Sequence, residues 1–124
     1  MSGFSRVFIS RSLTYVALRI SGALLAFLAL GHFFVTHIST DVADTGSSFV
    51  TKRWSSSLWV TWDTVLLASA LVHAFAGLVV IVYDYITRET TKHRVLILLA
   101  SLIFILFVIG LLTIIISVFK IYST

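Results

Sequence analysis

The chain has 124 residues, of which 59% are hydrophobic and only 11% are charged. Ordinary soluble domains are roughly 45–50% apolar and about 25% charged, so a soluble core of this size could not bury so much apolar surface. The formal net charge of +4 does not indicate nucleic-acid binding, because no surface with interleaved basic and aromatic residues is present. The absence of Cys excludes disulfides and thiolate-bound clusters on this chain.

Three segments are long enough to cross the apolar layer of a membrane, which needs about 20 mostly apolar residues. They cover about residues 13–38, 58–83 and 95–119. None alternates apolar and polar residues as the strands of a transmembrane barrel do. The sequence therefore predicts an all-α integral membrane protein, with three transmembrane helices in one domain over residues 1–124. The first segment lacks a cleavage pattern, so we expect the mature chain to keep it.

Lysine and arginine predict the orientation, because cytoplasmic loops carry an excess of both. Six basic residues lie in the N-terminal segment and the 84–94 connection, against three in the 39–57 connection and the C-terminal tail. We therefore expect the N-terminus in the cytoplasm and the C-terminus outside. Residues 1–12 read either as an amphipathic helix with Phe4, Val7 and Phe8 facing the lipid or as an arm that docks onto a soluble partner.

Two charged residues lie inside the predicted spans and have alternative interpretations. Arg19 either extends to lipid phosphate or meets the carboxylate of a bound cofactor. Asp63 follows three tryptophans of an interfacial belt, Trp54, Trp59 and Trp62. It is interpreted as a first-turn carboxylate favoured by the helix dipole, the alternative being a side chain that faces water at the outer edge. The third segment is almost purely aliphatic and is expected to carry no chemistry.

His32 and His73 lie deep in the first and second spans, among residues that offer no obvious polar partner. An unpaired imidazole in hydrocarbon costs a few kcal/mol. Each must therefore bond to a neighbouring helix, ligate a cofactor or relay protons. Gly31 beside His32, and the small residues Ala70, Ala74 and Gly77 around His73, would leave room for a flat macrocycle. His37 and His93 are interpreted as ordinary interfacial residues.

Tyr85 and its neighbour Asp84 end the second span. A phenol at headgroup depth either anchors the helix or donates a hydrogen bond to the carbonyl of a quinone, and the residues alone leave both open.

The second span resembles the membrane-anchor subunits of succinate:quinone oxidoreductases (succinate dehydrogenase, complex II), in particular the smaller hydrophobic subunit. The resemblance is carried by HAFAGL followed by Asp-Tyr, from His73 to Tyr85, and by Leu18–His32 and Arg53–Asp63. It covers roughly residues 18–94 and implies a bacterial cytoplasmic-membrane protein. The implied partners are a flavoprotein subunit, an iron–sulfur subunit and a second hydrophobic anchor, and the implied ligands are haem b and a quinone, menaquinone or ubiquinone.

The resemblance also implies roles for single residues. His73 becomes an axial haem ligand, Tyr85 a hydrogen-bond donor to the quinone, and Asp84 a residue that orders the quinone pocket. Arg19 and Ser21 become candidates for contacts to a haem propionate or the haem pocket. His32 would ligate a second, distal haem, which we favour over a single haem.

The depths of the two histidines depend on the reference chosen. Counted from the outer helix ends they differ, and counted from Arg19 and Asp84 they nearly coincide.

The function of the whole chain has other interpretations. They are the membrane anchor of a fumarate reductase, and a non-redox transporter or assembly subunit.

Overall fold

The structure is a computed structural model that describes residues 11–123. Residues 1–10, most of the arm interpreted above, lie outside that range. Helix α1 (Arg11–Phe33) runs directly into a π-helical turn, Phe34–Ile38. A 3₁₀ turn (Val42–Asp44) and the short helix α2 (Ser47–Trp54) follow, and then the two long helices α3 (Ser57–Tyr85) and α4 (Glu89–Ser123). No strand occurs within residues 11–123.

Three helices are long and apolar enough to cross a membrane, and they span Ser12–Ile38, Ser57–Tyr85 and Glu89–Ser123. The all-α prediction with three spans is therefore confirmed. Helix α4 begins six residues earlier than the apolar segment predicted from 95, because its first two turns are polar. Hydropathy locates only the apolar part of a helix, whereas good helix formers such as Glu and Lys extend it.

Helix α3 is the central element of the described chain. It has 22% of its most apolar window buried, against 11% for α1 and 6% for α4. Both outer helices pack against α3 and scarcely touch each other. The three helices therefore form an open layer, and most large apolar side chains remain exposed for lipid or for other chains.

The contact between α1 and α3 depends on a glycine that receives an indole. A Cβ added at Gly31 would lie 2.6 Å from Cζ2 of Trp62, so the ring lies directly against the α1 backbone. The Trp62 Nε1 donates a hydrogen bond to the carbonyl of Leu28, 3.3 Å away. Small residues at such interfaces let membrane helices approach closely.

The contact between α3 and α4 has a similar feature. A Cβ added at Gly110 would lie 2.6 Å from Cδ2 of Leu67. Nearer the connection between α3 and α4, a small buried cluster is formed by Val79, Val82 and Leu96. Gly110 of the third span thus lets the two helices approach closely.

The two ends of the layer differ, and each is named here by its connection. The long-loop end holds residues 39–56 with α2, and the short-turn end holds residues 86–88 between α3 and α4. At the long-loop end the Tyr122 hydroxyl donates to the carbonyl of Ser55 at 2.8 Å. This bond ties the last turns of α4 to the long connection.

We predict that Gly31→Ala lowers the free energy of unfolding by about 1–3 kcal/mol, the usual cost of overpacking. The new methyl group meets a rigid ring that cannot rotate away. In the matched control, Gly110→Ala, the methyl group meets the end of a flexible leucine, and the loss should be smaller. The apparent Tm of the purified protein in detergent checks this, and equal losses would contradict the packing described at Gly31.

Candidate functional site

His73 lies on the side of α3 that packs against α1. Its Nδ1 is 3.1 Å from the Oγ of Ser21. A Cβ added at Gly22 would lie 3.4 Å from Cε1 of the same ring. Ser21 is buried, with 4% of its surface exposed. One edge of the imidazole is therefore held against α1 by a hydroxyl and by a residue without a side chain.

The hydrogen bonds of Ser21 define which ring nitrogen carries the proton. A serine hydroxyl has one hydrogen to donate, and here it is directed to the carbonyl of Ala17 at 2.5 Å. The same oxygen then accepts from His73, so Nδ1 carries the hydrogen and Nε2 keeps its lone pair. Within residues 11–123 nothing forms a hydrogen bond with that Nε2, and the residue is only half-buried.

His32 lies on α1 and is turned toward Asp63 of α3. Its Nδ1 is 3.5 Å from the Oδ1 of Asp63, too long for a good hydrogen bond. This nitrogen is buried and has no hydrogen-bond partner in the described part of the chain. The side chain as a whole is 43% exposed. His32 thus resembles His73, with Nδ1 facing the chain and the rest of the ring facing outward.

Asp63 is the centre of an ion-pair cluster at the long-loop end. Its carboxylate accepts two hydrogen bonds from Arg53, at 3.1 Å from Nε and 2.7 Å from one terminal nitrogen. The indole of Trp54 donates a third, at 2.8 Å. Arg53 is 7% exposed and stacks over the ring of Trp59 at 4.1 Å. We call these four residues the loop-end cluster.

The interpretation of Asp63 as a first-turn carboxylate is wrong. Helix α3 begins at Ser57 and has no acidic residue in its first turn. Asp63 lies in the second turn, where the field of the helix end has largely fallen off. Its charge is compensated by the bidentate Arg53 contact, which attaches α2 to α3.

The structure also sets the relative depth of the two histidines. His73 pairs with Ser21 and His32 approaches Asp63, and each pair joins α1 to α3 at one level. Asp63 precedes His73 by ten residues on α3, which corresponds to about 15 Å of helix. His32 is therefore nearer the long-loop end by that amount, as counting from the outer helix ends suggested.

The other proposed cofactor residue of α1, Arg19, projects away from His73. It is exposed, and its guanidinium lies 4.7 Å from the ring centre of Tyr15. Residues two apart on a helix point about 200° apart. Arg19 and Ser21 therefore do not share a face.

Tyr85 and Asp84 are both exposed at the short-turn end, and the Tyr85 side chain is 83% exposed. Neither side chain forms a hydrogen bond with another residue in the 11–123 range. Tyr85 lies twelve residues from His73, about 18 Å along the helix. The phenol is thus free to contact a molecule that this chain does not supply.

Two basic residues have structural partners that the sequence reading missed. Arg53 and Lys92 were counted only as orientation signals. Lys92 is 8% exposed, forms an ion pair with Glu89 at 2.9 Å, and lies 4.6 Å from the ring centre of Tyr83. The spacing of Glu89 and Lys92, three residues apart on one helix, was the available signal.

No group of three or more His, Asp or Glu side chains within residues 11–123 could hold a metal ion. His32 and His73 both lie outside any such group in these residues. The space beside the two histidines differs. Beside His32, Trp62 covers Gly31. Beside His73, a Cβ added at Gly77 would meet only Leu18, at 4.0 Å, so this position is open.

The open layer of three long apolar helices indicates a multi-pass membrane protein. A family model described as the succinate dehydrogenase/fumarate reductase transmembrane subunit matches residues 8–116. The chain belongs to this family and is a membrane subunit of a multi-subunit oxidoreductase complex. No curated protein matches the sequence significantly.

We predict that Asp63→Asn releases α2 from α3. Removing one partner of a buried ion pair costs about 3 kcal/mol, because the other charge stays buried and uncompensated. Trypsin should then cleave the purified complex after Lys52 or Arg53 faster than in the wild type, as followed by mass spectrometry. Asp44→Asn, in the exposed part of the same connection, is the control. Equal cleavage of both variants would contradict the role of the loop-end cluster.

Proposed function

We propose that this chain is a membrane anchor of succinate dehydrogenase that binds haem b and helps to form the quinone site. The observation that carries the proposal is the state of His73. His73 is half-buried in the middle of a membrane-spanning helix. Its Nδ1 is held by Ser21, while its Nε2 has no hydrogen-bond partner in the described chain. An imidazole arranged in this way presents one lone pair to a group outside the chain, as axial ligands do.

The residues around His73 fit a haem. Gly77 lies one turn further along the same face of α3, and Ala74 is exposed, so the helix surface there is flat. His73 would hold the haem together with a residue of the second hydrophobic anchor subunit. A haem b held in this way would supply one-electron transfer rather than oxygen binding. Arg19 projects away from His73, and we propose that its guanidinium meets lipid phosphate, the other role that the sequence left open.

His32 is proposed as the ligand of a second haem. Its register places it about 15 Å nearer the long-loop end than His73, far enough for a separate macrocycle. Asp63 beside its Nδ1 is the kind of carboxylate that orients metal-ligating histidines. Because Trp62 covers Gly31, we propose a position for this second haem beside the contact between α1 and α3 and not within it.

The quinone is proposed to bind at Tyr85. Reduction of a quinone to a quinol consumes two electrons and two protons, and the carbonyl oxygens receive the protons. The exposed Tyr85 hydroxyl donates a hydrogen bond to one carbonyl, while the adjacent Asp84 orders the pocket. Both lie at a membrane boundary, where protons are available from water.

The proposed assembly contains a flavoprotein subunit, an iron–sulfur subunit and a second hydrophobic anchor. The excess of basic residues around α1 and the short-turn end orients that end toward the cytoplasm of a bacterium. Electrons from succinate then arrive on the same side as Tyr85. The same residues serve fumarate reduction when electrons flow in the opposite direction.

We predict that His73→Ala removes one b-type haem from the purified complex, because the iron loses a ligand. His32→Ala should remove the other. The reduced-minus-oxidised visible spectrum and the haem content per complex measure both losses. His37→Ala and His93→Ala are matched controls: His37 is exposed and lies 2.7 Å from Thr36, and His93 is exposed on α4.

These four variants separate the possible outcomes. Loss of haem in His73→Ala alone supports a single-haem anchor, and loss in both His73→Ala and His32→Ala supports two haems. A wild-type complex without b-type bands, or a full haem content in His73→Ala, would contradict the proposal.

We predict that Tyr85→Phe slows quinone reduction roughly fivefold with haem content unchanged, because one neutral hydrogen bond contributes about 1 kcal/mol. The measurement is kcat/KM for a soluble quinone in the purified complex. Tyr83→Phe is the control, since the Tyr83 ring contacts Lys92 and lies two residues away. Equal rates for wild type and Tyr85→Phe would remove Tyr85 from the quinone site.

A further inference from the structure

We infer that Ser21 is a positioning residue for the His73 ligand, acting through the ring and not through contact with the cofactor. This inference rests on the proposed role of His73 as a haem ligand. A propionate or pocket contact would require an accessible hydroxyl. The hydroxyl of Ser21 is instead directed inward, and the residue is 4% exposed.

A chain of hydrogen bonds joins His73 through Ser21 to the backbone of α1. His73 donates from Nδ1 to Ser21 at 3.1 Å, and Ser21 donates to the carbonyl of Ala17 at 2.5 Å. A main-chain carbonyl can only accept. The direction of both bonds is therefore fixed by the helix backbone, and Nε2 of His73 is left without a hydrogen.

The position of the ring is held at one nitrogen. The Ser21 hydroxyl contacts Nδ1 of His73 at 3.1 Å, and the ring lies beside Gly22, where even an added Cβ would make only an ordinary contact, at 3.4 Å from Cε1. Ser21 therefore orients the ring before any cofactor binds, which reduces the entropy lost on ligation.

Ser21 can act on the orientation of the His73 ring or on the packing of α1 against α3. Hydrogen bonds between membrane helices contribute about 0.6 kcal/mol on average, too little to determine whether α1 packs on α3. Residues that hydrogen-bond a metal ligand, by contrast, typically change metal affinity by about 10–100-fold when replaced. The main effect of Ser21 is therefore expected on haem binding and not on assembly.

The test compares Ser21→Thr with Ser21→Val in the purified complex. These two side chains have nearly the same shape and differ in the hydroxyl. Thr64→Ala is a further control, because the Thr64 hydroxyl bonds to Val60 of its own helix at 2.7 Å. The readouts are the rate of haem transfer to an added haem-binding apoprotein, and the midpoint potential of the His73 haem.

Ser21→Val should lose haem about tenfold faster than Ser21→Thr, consistent with the lower end of the effect of ligand-orienting partners. Its midpoint potential should also rise, because an imidazole that donates no hydrogen bond stabilises ferric iron less well. Ser21→Thr and Thr64→Ala should match the wild type in both readouts.

Equal haem loss and equal potentials for the valine and threonine variants would overturn the role of Ser21 and leave the proposed function intact. A wild-type complex without haem would instead overturn the proposed function. If neither variant assembles, solid-state NMR of the wild-type complex, labelled at histidine and serine, measures whether the Nδ1 hydrogen of His73 contacts the Ser21 side chain. A contact in the haem-bound complex supports the inference, and a haem-bound complex without it overturns the inference.

Discussion

The proposed site of this chain depends on the contact between the His73 imidazole and the Ser21 hydroxyl. A polar ring in the middle of a membrane helix must find a partner, since hydrocarbon offers none. One partner on α1 satisfies one nitrogen and leaves the other nitrogen available. The proposed chemistry thus follows from this contact, whereas the packing of α1 on α3 depends on apolar contacts such as Trp62 on Gly31.

At the long-loop end a histidine again faces a polar side chain of the neighbouring helix, here a charged carboxylate in place of a hydroxyl. Asp63 faces His32, and the Arg53 guanidinium compensates the carboxylate. Arg53 also fastens α2 over the end of α3, so the cluster that faces His32 also closes this end of the layer. Both histidines consequently turn one nitrogen toward the chain and the rest of the ring outward. An open layer of helices would suit the proposed ligation, because the other ligand of each haem would come from a neighbouring chain.

The sequence predicted the features that local composition determines, such as the three spans. It missed the features that depend on contacts between different helices. Apolar length alone located the three spans, and burial cost alone selected His32 and His73. The Asp63 side chain was misread because its partner, Arg53, lies ten residues away across a turn whose geometry the sequence does not specify. The relative depth of the histidines required the register of α1 on α3, which is set by Trp62 on Gly31 and by Ser21. For the exposed pair Asp84 and Tyr85, the residues alone left open a helix anchor and a quinone contact. The family resemblance favoured the quinone contact, and the role of the pair stays a prediction.

The central claim is that His73 presents Nε2 to an iron while Ser21 holds Nδ1. A cryo-EM map of the assembled complex at a resolution that defines side chains tests it most directly. The account predicts a porphyrin beside α3, its iron within bonding distance of Nε2 of His73, with Nδ1 still in contact with Ser21. A map in which the His73 ring faces lipid, or in which iron is bound without this residue, would contradict it.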